Sequence, residues 1–315
     1  VHAQLRGVLV EISIRYVTHF VYATPVWESH NSLRACPADD ERQRLLEYRL
    51  AIEPPITVFT YTDNWGTQVD TFDIPQRHTE LILTASARVN TTAPALPISG
   101  PFAGTADMSY IEGNWLFLQP TRHTRWSDDI ALAAKDAIVA STDVVEIADA
   151  IQGLVRSTID YRSGATDIGI DLDRIWSEQV GVCQDFAHLT IAMLRSVGIA
   201  ARYVSGYFYA SDPASADSPE NDEIVVATHA WVELAVPGWG WWAIDPTNGS
   251  PVGERHVKIG HGRDYDDVTP LRGVYYGESD HHLAAEVTMS TSRIVNESVP
   301  QVSLSQAALL LQQQQ

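Results

Sequence analysis

Lysine is almost missing from this chain. Of its 21 basic residues only Lys135 and Lys258 are lysines, against 40 acidic residues, and the formal net charge is −19. So negative a surface repels phosphate backbones, which argues against a nucleic-acid partner. No G-x-x-x-x-G-K-[ST] phosphate cradle occurs, which argues against an NTPase. Cysteine is as scarce. Cys36 and Cys183 are the only two, one pair at most, so no disulfide framework holds the fold. No run of 18 apolar residues exists, so no membrane-spanning helix and no membrane partner are expected. A D-x-[DN]-x-[DN]-G calcium loop is absent too. The N-terminal stretch from Val8 to Tyr16 alternates apolar and polar residues at period two. That pattern makes a half-buried strand and not a secretory leader, so the expected compartment is the cytoplasm.

What is present suffices for a globular protein. Hydrophobic residues make up 45% of the 315 and charged residues 19%, enough apolar surface to build cores and exclude wholesale disorder. The length suggests two domains. Residues 1–90 carry short alternating runs at Tyr48–Ile52, Val58–Tyr61, Gln68–Ile74 and Leu81–Val89. Turn signals such as Glu53-Pro54-Pro55 and Asp63-Asn64-Trp65-Gly66 part them, which predicts an antiparallel β-sandwich. Residues 91–125 are rich in proline and glycine and read as a linker with little regular structure.

Helices are predicted next, one capped by Ser127, one starting at Thr142, and one from Cys183 to Val197 that Gly198 ends. Strands follow at Ala201–Tyr209, Ile224–Val236 and Trp241–Ile244. Ser211–Glu223 reads as an exposed acidic loop. Together, residues 126–262 form a second, α+β domain. Residues 263–300 read as a C-terminal β extension, and 301–315 as a disordered Gln-rich tail.

Three segments carry chemistry. In Gly181-Val182-Cys183-Gln184-Asp185 the cysteine opens an apolar helix. A helix N-terminus offers partial positive charge and unpaired N–H groups, both of which favour a reactive thiolate and a developing oxyanion. In Thr228-His229-Ala230-Trp231 the histidine lies on a strand. In Trp242-Ala243-Ile244-Asp245-Pro246 the aspartate ends the next strand. Antiparallel neighbours put Asp245 beside His229, where it can orient the imidazole toward the thiol. Taken singly, Cys183 reads as a small buried hydrophobe, His229 as a structural strand histidine and Asp245 as a turn starter; their combination is what points to a nucleophile, a base and an orienter.

These segments resemble the bacterial transglutaminase-like superfamily. G-V-C-Q-D-F-A-H around Cys183, T-H-A-W-V-E around His229 and W-A-I-D-P-T-N around Asp245 match its core in the family's order. Tyr161–Thr166 and Gly262–Pro270 resemble the flanking segments. Thr18–Tyr22 and Asn31–Arg34 resemble its β-rich N-terminal domain. Cys36 departs from a more usual aliphatic residue. The resemblance implies an α+β fold, a papain-like transglutaminase core behind an N-terminal β-sandwich. It also implies a Cys183–His229–Asp245 triad that attacks an amide through an acyl-enzyme, with no cofactor.

The resemblance leaves the reaction open. Hydrolysis of a peptide, isopeptide or glutamine amide is favoured over transamidation, because neither a calcium site nor an amine-acceptor pocket is readable. A non-enzymatic binding module is the further alternative. The partner is then a peptide or protein substrate, and the oligomeric state is open. Trp176, Gln179 and Gln184 flank the cysteine as candidates for a second oxyanion donor or the cleft wall, with core packing the favoured role of Trp176. A metal site is disfavoured, since Cys183 and His188 stand about 140° apart around one helix. Asp264, Asp266 and Asp267 read as a hydrogen-bonded turn. His256 and His261 are weighed evenly between cleft and structure.

Overall fold

The computed structural model describes residues 9–210, 224–277 and 280–294. The acidic loop at 211–223 and the Gln-rich tail lie outside these residues, as does Val8. The chain begins with β1 (Leu9–Leu33), β2 (Gln43–Glu53), β3 (Phe59–Thr62), β4 (Gln68–Ile74) and β5 (His78–Thr91). The alternation that predicts a strand at Tyr16 carries on to Leu33. The first part of β1 pairs with β5, and its last part pairs with β4. The register breaks between Val21 and Val26. Pro25 falls there, and a residue without an N–H cannot continue a ladder. One long strand thus serves both halves of the β domain, whose inward residues (Ile12, Ile14, Leu33, Phe72, Leu81 and Leu83 among them) form one core.

Residues 91–125 are less irregular than their composition suggests. A 3₁₀ turn at Phe102–Ala106 leads into α1 (Met108–Leu118). The prolines of this stretch cluster before the turn and resume at Pro120, so the eighteen residues between Pro101 and Pro120 are free to coil, and eleven of them form α1. Tyr110 anchors α1. Its hydroxyl donates to the Ala235 carbonyl (2.9 Å) and accepts the Ala200 N–H (3.0 Å).

Then come α2 (Asp128–Ala137), α3 (Val144–Thr158), β6 (Asp160–Tyr161), α4 (Leu172–Glu178), β7 (Val180–Gly181) and α5 (Cys183–Ser196). Asp143 caps α3 by accepting the Val145 N–H at 2.8 Å. At the far end of α5, Gly198 takes φ +87°. Its N–H reaches the Arg195 carbonyl and that of Ile199 the Leu194 carbonyl, a Schellman stop that needs a residue without Cβ. α5 is the buried axis of the second domain: Phe186, Leu189, Ile191, Ala192, Met193 and Leu194 are all enclosed.

The remaining strands are β8 (Ala201–Phe208), β9 (Ile224–Val226), β10 (Thr228–Val236), β11 (Gly240–Asp245), β12 (Ser250–Pro251), β13 (His256–Gly262), β14 (Leu271–Tyr276) and β15 (His281–Ile294). The core sheet has the order β12-β11-β10-β8-β13. Ala230, Val232 and Leu234 of β10 pack with α5 in the core. His229, Trp231 and Glu233 alternate with them and face the other way. The edge strand β13 and its neighbour β8 meet the β domain, since Tyr207, Val257 and Ile259 belong to the core of β1 and β5.

Two sequence expectations change here. Ile224–Val236 is not one strand: β9 leaves the core sheet and pairs with β15. The C-terminal strands do not form a separate extension. β14 and β15 both pair with β1, β15 along fourteen residues. Strand propensity marks where a chain extends, whereas the partner is chosen by which apolar face needs cover. Among the described residues no helix is long and apolar enough to cross a membrane.

Candidate active site

The start of α5 is built around Asp185. Its carboxylate folds back to accept the Val182 N–H (2.8 Å) and the Thr166 hydroxyl (2.6 Å). This reciprocal cap satisfies an N–H that the helix itself cannot. It also explains Gly181. A Cβ on Gly181 would stand 2.9 Å from Asp185 Cβ and 3.1 Å from its Oδ2. Gly181→Ala is therefore expected to push the carboxylate off the cap and cost about 1–2 kcal/mol. Chemical denaturation checks this, and a loss below about 0.5 kcal/mol contradicts the cap. Sequence reasoning missed this role of Asp185. An acidic residue three positions past a helix start was the signal.

Cys183 is the first residue of α5 and half-buried. The first helical bonds run from the N–H groups of Asp185 and Phe186 to the Val182 carbonyl. The N–H groups of Cys183 and Gln184 precede that ladder, at the positive end of the helix dipole. Cys36, by contrast, is buried, and burial with Asp70 nearby lifts its thiol to about 12.

His229 is the second residue of β10, opposite Gly206 of β8. The indole of Trp231 fills the space above Gly206, where a Cβ would sit 2.5 Å from the ring. That indole floors the site beneath the imidazole, centroid to centroid 6.1 Å. Val232 pairs with Ile244, so Asp245 falls in line with Trp231, on the face that also carries His229.

The distance confirms the placement: His229 Nε2 lies 2.8 Å from Asp245 Oδ2. Nε2 thus carries the proton that Asp245 accepts, which leaves Nδ1 as the nitrogen for Cys183. Burial alone would discharge the ring. Hydrogen bonds to Asp245 and Cys183 outweigh it and lift the pKa to about 9.

Asp245 is fully buried, at 0% exposure, yet it stays ionised. Burial opposes the charge, but donors surround it and hold its carboxyl well below the usual range. Oδ1 accepts the N–H groups of Thr247 (3.0 Å) and Asn248 (3.1 Å). Oδ2 accepts from His229, from Asn248 Nδ2 (2.6 Å) and from His256 Nε2 (3.1 Å). One oxygen starts the turn after β11, as an Asp-Pro sequence suggests, and the other serves the histidine. Asn248 escaped the sequence reading, although its place in D-P-T-N was visible.

The other residues near the cysteine are less involved. Trp176 packs against the helical core. Gln179 ends α4 in a left-handed conformation, φ +56°, and its side chain is exposed. Gln184 is half-buried beside Cys183.

Two groups of residues have ligand atoms close enough for one cation: His229–Asp245–His256 and His123–Asp264–Asp266. In the first, a cation would have to displace the donors already on Asp245. In the second, Asp264 Oδ1 accepts the Asp266 N–H at 2.9 Å, and His123 Nε2 lies 3.1 Å from Asp266 Oδ2. Asp267 is occupied by Arg263.

Known proteins bear on this geometry. Residues 132–246 match the Transglutaminase-like superfamily, and residues 12–90 match the Bacterial transglutaminase-like N-terminal region. An uncharacterized protein of Mycobacterium leprae is 36% identical over 282 residues, covering 86% of this chain and 96% of that protein. One of Mycobacterium tuberculosis is 33% identical over 288 residues, covering 86% and 89%. A protein-glutamine gamma-glutamyltransferase of Pseudomonas aeruginosa is 34% identical over 82 residues, 25% of this chain and 11% of that one. Among solved structures, the crystal structure described as "a Putative Cysteine Protease from Cytophaga hutchinsonii" superposes with a TM-score of 0.69, at 23% identity and 93% coverage of each chain. That likeness is one of fold. With one family matched by its core and by the β domain before it, and relatives aligned along nearly their whole length, this chain belongs to the transglutaminase-like superfamily.

Proposed function

We propose that the protein is a cysteine-dependent enzyme that hydrolyses an amide bond of a peptide, an isopeptide or a glutamine side chain. Cys183 is the nucleophile, His229 the general base and acid, and Asp245 the orienter. The observation that carries this reading is the line from a helix-start cysteine through His229 to a buried, fully solvated-by-donors carboxylate at 2.8 Å. A buried aspartate so held keeps one imidazole tautomer and stabilises its cation.

The steps follow from that line. The Cys183 thiol gives its proton to His229 Nδ1, and the sulfur bonds to the amide carbonyl carbon while the oxygen takes up negative charge. The N–H groups at the start of α5 receive that charge in this reading. The C–N bond breaks as His229 gives its Nδ1 proton to the leaving amine, and an acyl-enzyme forms. His229 then takes a proton from water, the hydroxide adds to the acyl carbon, and the carbon–sulfur bond breaks to release a carboxylate.

Water needs no binding site of its own, which favours hydrolysis. The one observation favouring transamidation is the likeness to the Pseudomonas transferase. A peptide library incubated with and without a primary amine, read by mass spectrometry, separates the two. Cleaved peptides or Gln converted to Glu, indifferent to amine, are expected, with no product from Cys183→Ala. Amine incorporated at Gln would make the protein a transglutaminase. No product, with Cys183 alkylated no faster than a free thiol, would favour the binding-module alternative.

A further inference from the structure

We propose that His256 is a positioning residue of this site, a neutral ring that holds Asp245 Oδ2 in line with His229, and that the β domain keeps it there. The inference rests on the enzyme reading above. His256 is 2% exposed and opens β13, opposite Phe208. Its two nitrogens have different partners. Nδ1 lies 3.2 Å from the Gly253 N–H, and a backbone N–H can only donate. Nδ1 is therefore unprotonated. The ring's proton sits on Nε2, 3.1 Å from Asp245 Oδ2. His256 thus donates to the carboxylate from one side while His229 donates from another.

The charge balance fits this division. A second imidazolium beside His229 would compete for Asp245. Burial pushes His256 down, more than Asp245 lifts it, and His229 and Arg42 push the same way as burial. The ring is also fixed sterically, 4.6 Å from the Phe208 ring and 5.4 Å edge-on to Trp231. Arg255 stacks over the Phe208 ring at 5.1 Å.

The turn that supplies His256 is pinned from the β domain. Arg42, just before β2, donates to the carbonyls of Gly253 (3.1 Å) and His256 (3.5 Å). Thr91, the last residue of β5, donates to the Glu254 carbonyl at 2.5 Å. The N-terminal domain so fixes a turn whose first N–H sets the His256 tautomer. A small shift in a catalytic group is costly, and supporting residues of this kind are worth about 10–100-fold.

The test uses the full chain and follows iodoacetamide labelling by intact mass at about pH 6, where a free thiol reacts slowly. Wild-type Cys183 should label fast and Cys36 slowly. His256→Phe keeps the ring and removes the donor; about tenfold slower labelling of Cys183 is expected. His256→Gln restores an N–H near Nε2 and should recover to within about threefold of wild type. A folded His256→Phe that labels at the wild-type rate overturns the proposal, as does a His256→Gln that falls equally far, which would make the role one of packing. A wild-type Cys183 that labels no faster than a free thiol overturns the enzyme reading itself. The ¹⁵N shifts of His256 in the wild-type chain give a reading independent of any variant. A neutral ring protonated at Nε2 at about pH 7 is expected, and an imidazolium there overturns the proposal.

Discussion

His229→Ala is expected to lower amide turnover at least about a thousandfold. On the proposed mechanism the variant loses the group that both activates the thiol and protonates the leaving amine, while Asp245 keeps its other donors and the fold survives. Turnover of any library peptide that the wild type processes measures the loss directly. Activity retained within about tenfold of wild type would mean that His229 is not the base.

The same residue carries a pH signature. Its folded pKa is raised to about 9 from the ordinary 6.5. A raised histidine stabilises the fold fully below its unfolded pKa, and the contribution fades as pH rises through the folded value. Stability should thus decline between about pH 6.5 and pH 9 in the wild type. Unfolding curves of His229→Ala should lack that slope.

Glu233→Ala should cost about 3–5 kcal/mol of stability. Glu233 is buried between two cations. Lys258 Nζ lies 2.7 and 2.8 Å from its two carboxylate oxygens, and Arg202 lies 2.6 Å from Oε2. Arg202 stacks 4.0 Å over the Trp241 ring and donates to His261 Nε2 at 3.0 Å. Burial with Arg202 and Lys258 beside it pushes His261 down to about 3, so that ring serves as a neutral acceptor. Removing Glu233 leaves two largely buried positive charges without their shared carboxylate.

The network also joins the domains, because the backbone of Lys258 exchanges hydrogen bonds with the Gln43 side chain. Chemical denaturation measures the loss, and a cost under about 1 kcal/mol would show the network to be relaxed by water. Burial raises the Glu233 carboxyl, but Lys258 and Arg202 overcome it and hold the group well below its ordinary 4.5. A depressed acid stabilises fully above its unfolded pKa and less as pH falls toward the folded one. The wild type should therefore lose stability below about pH 4.5, and Glu233→Ala should lose less of it there.

These two residues show how unevenly the chain discloses itself. His229 was legible because it lies in T-H-A-W between a helix-start cysteine and a strand-end aspartate, a spacing that makes chemical sense. Glu233, four residues along, reads as an ordinary strand residue. Its partner Lys258 stood out only as one of two lysines. Nothing local tells an acid at period two whether water or a buried ammonium awaits it. The same holds for His256, eleven residues past Asp245. Its identity was plain, but the turn at Gly253 that brings it back, and the Arg42 that holds that turn, lie 211 residues apart in the chain.

The sequence by itself determined the local elements and their chemistry. Period two marked β1 to β5, glycine at φ +87° after α5 was foreseeable from its lack of Cβ, and G-V-C placed a thiol at a helix start. Such features depend on backbone sterics and neighbours a few residues away. The tertiary structure decided the partners. It sent β14 and β15 back to β1, moved β9 out of the core sheet, and put five donors around Asp245. Those outcomes depend on which apolar faces and buried charges meet across long stretches of chain, where burial makes each hydrogen bond and ion pair count far more than sequence spacing can foretell.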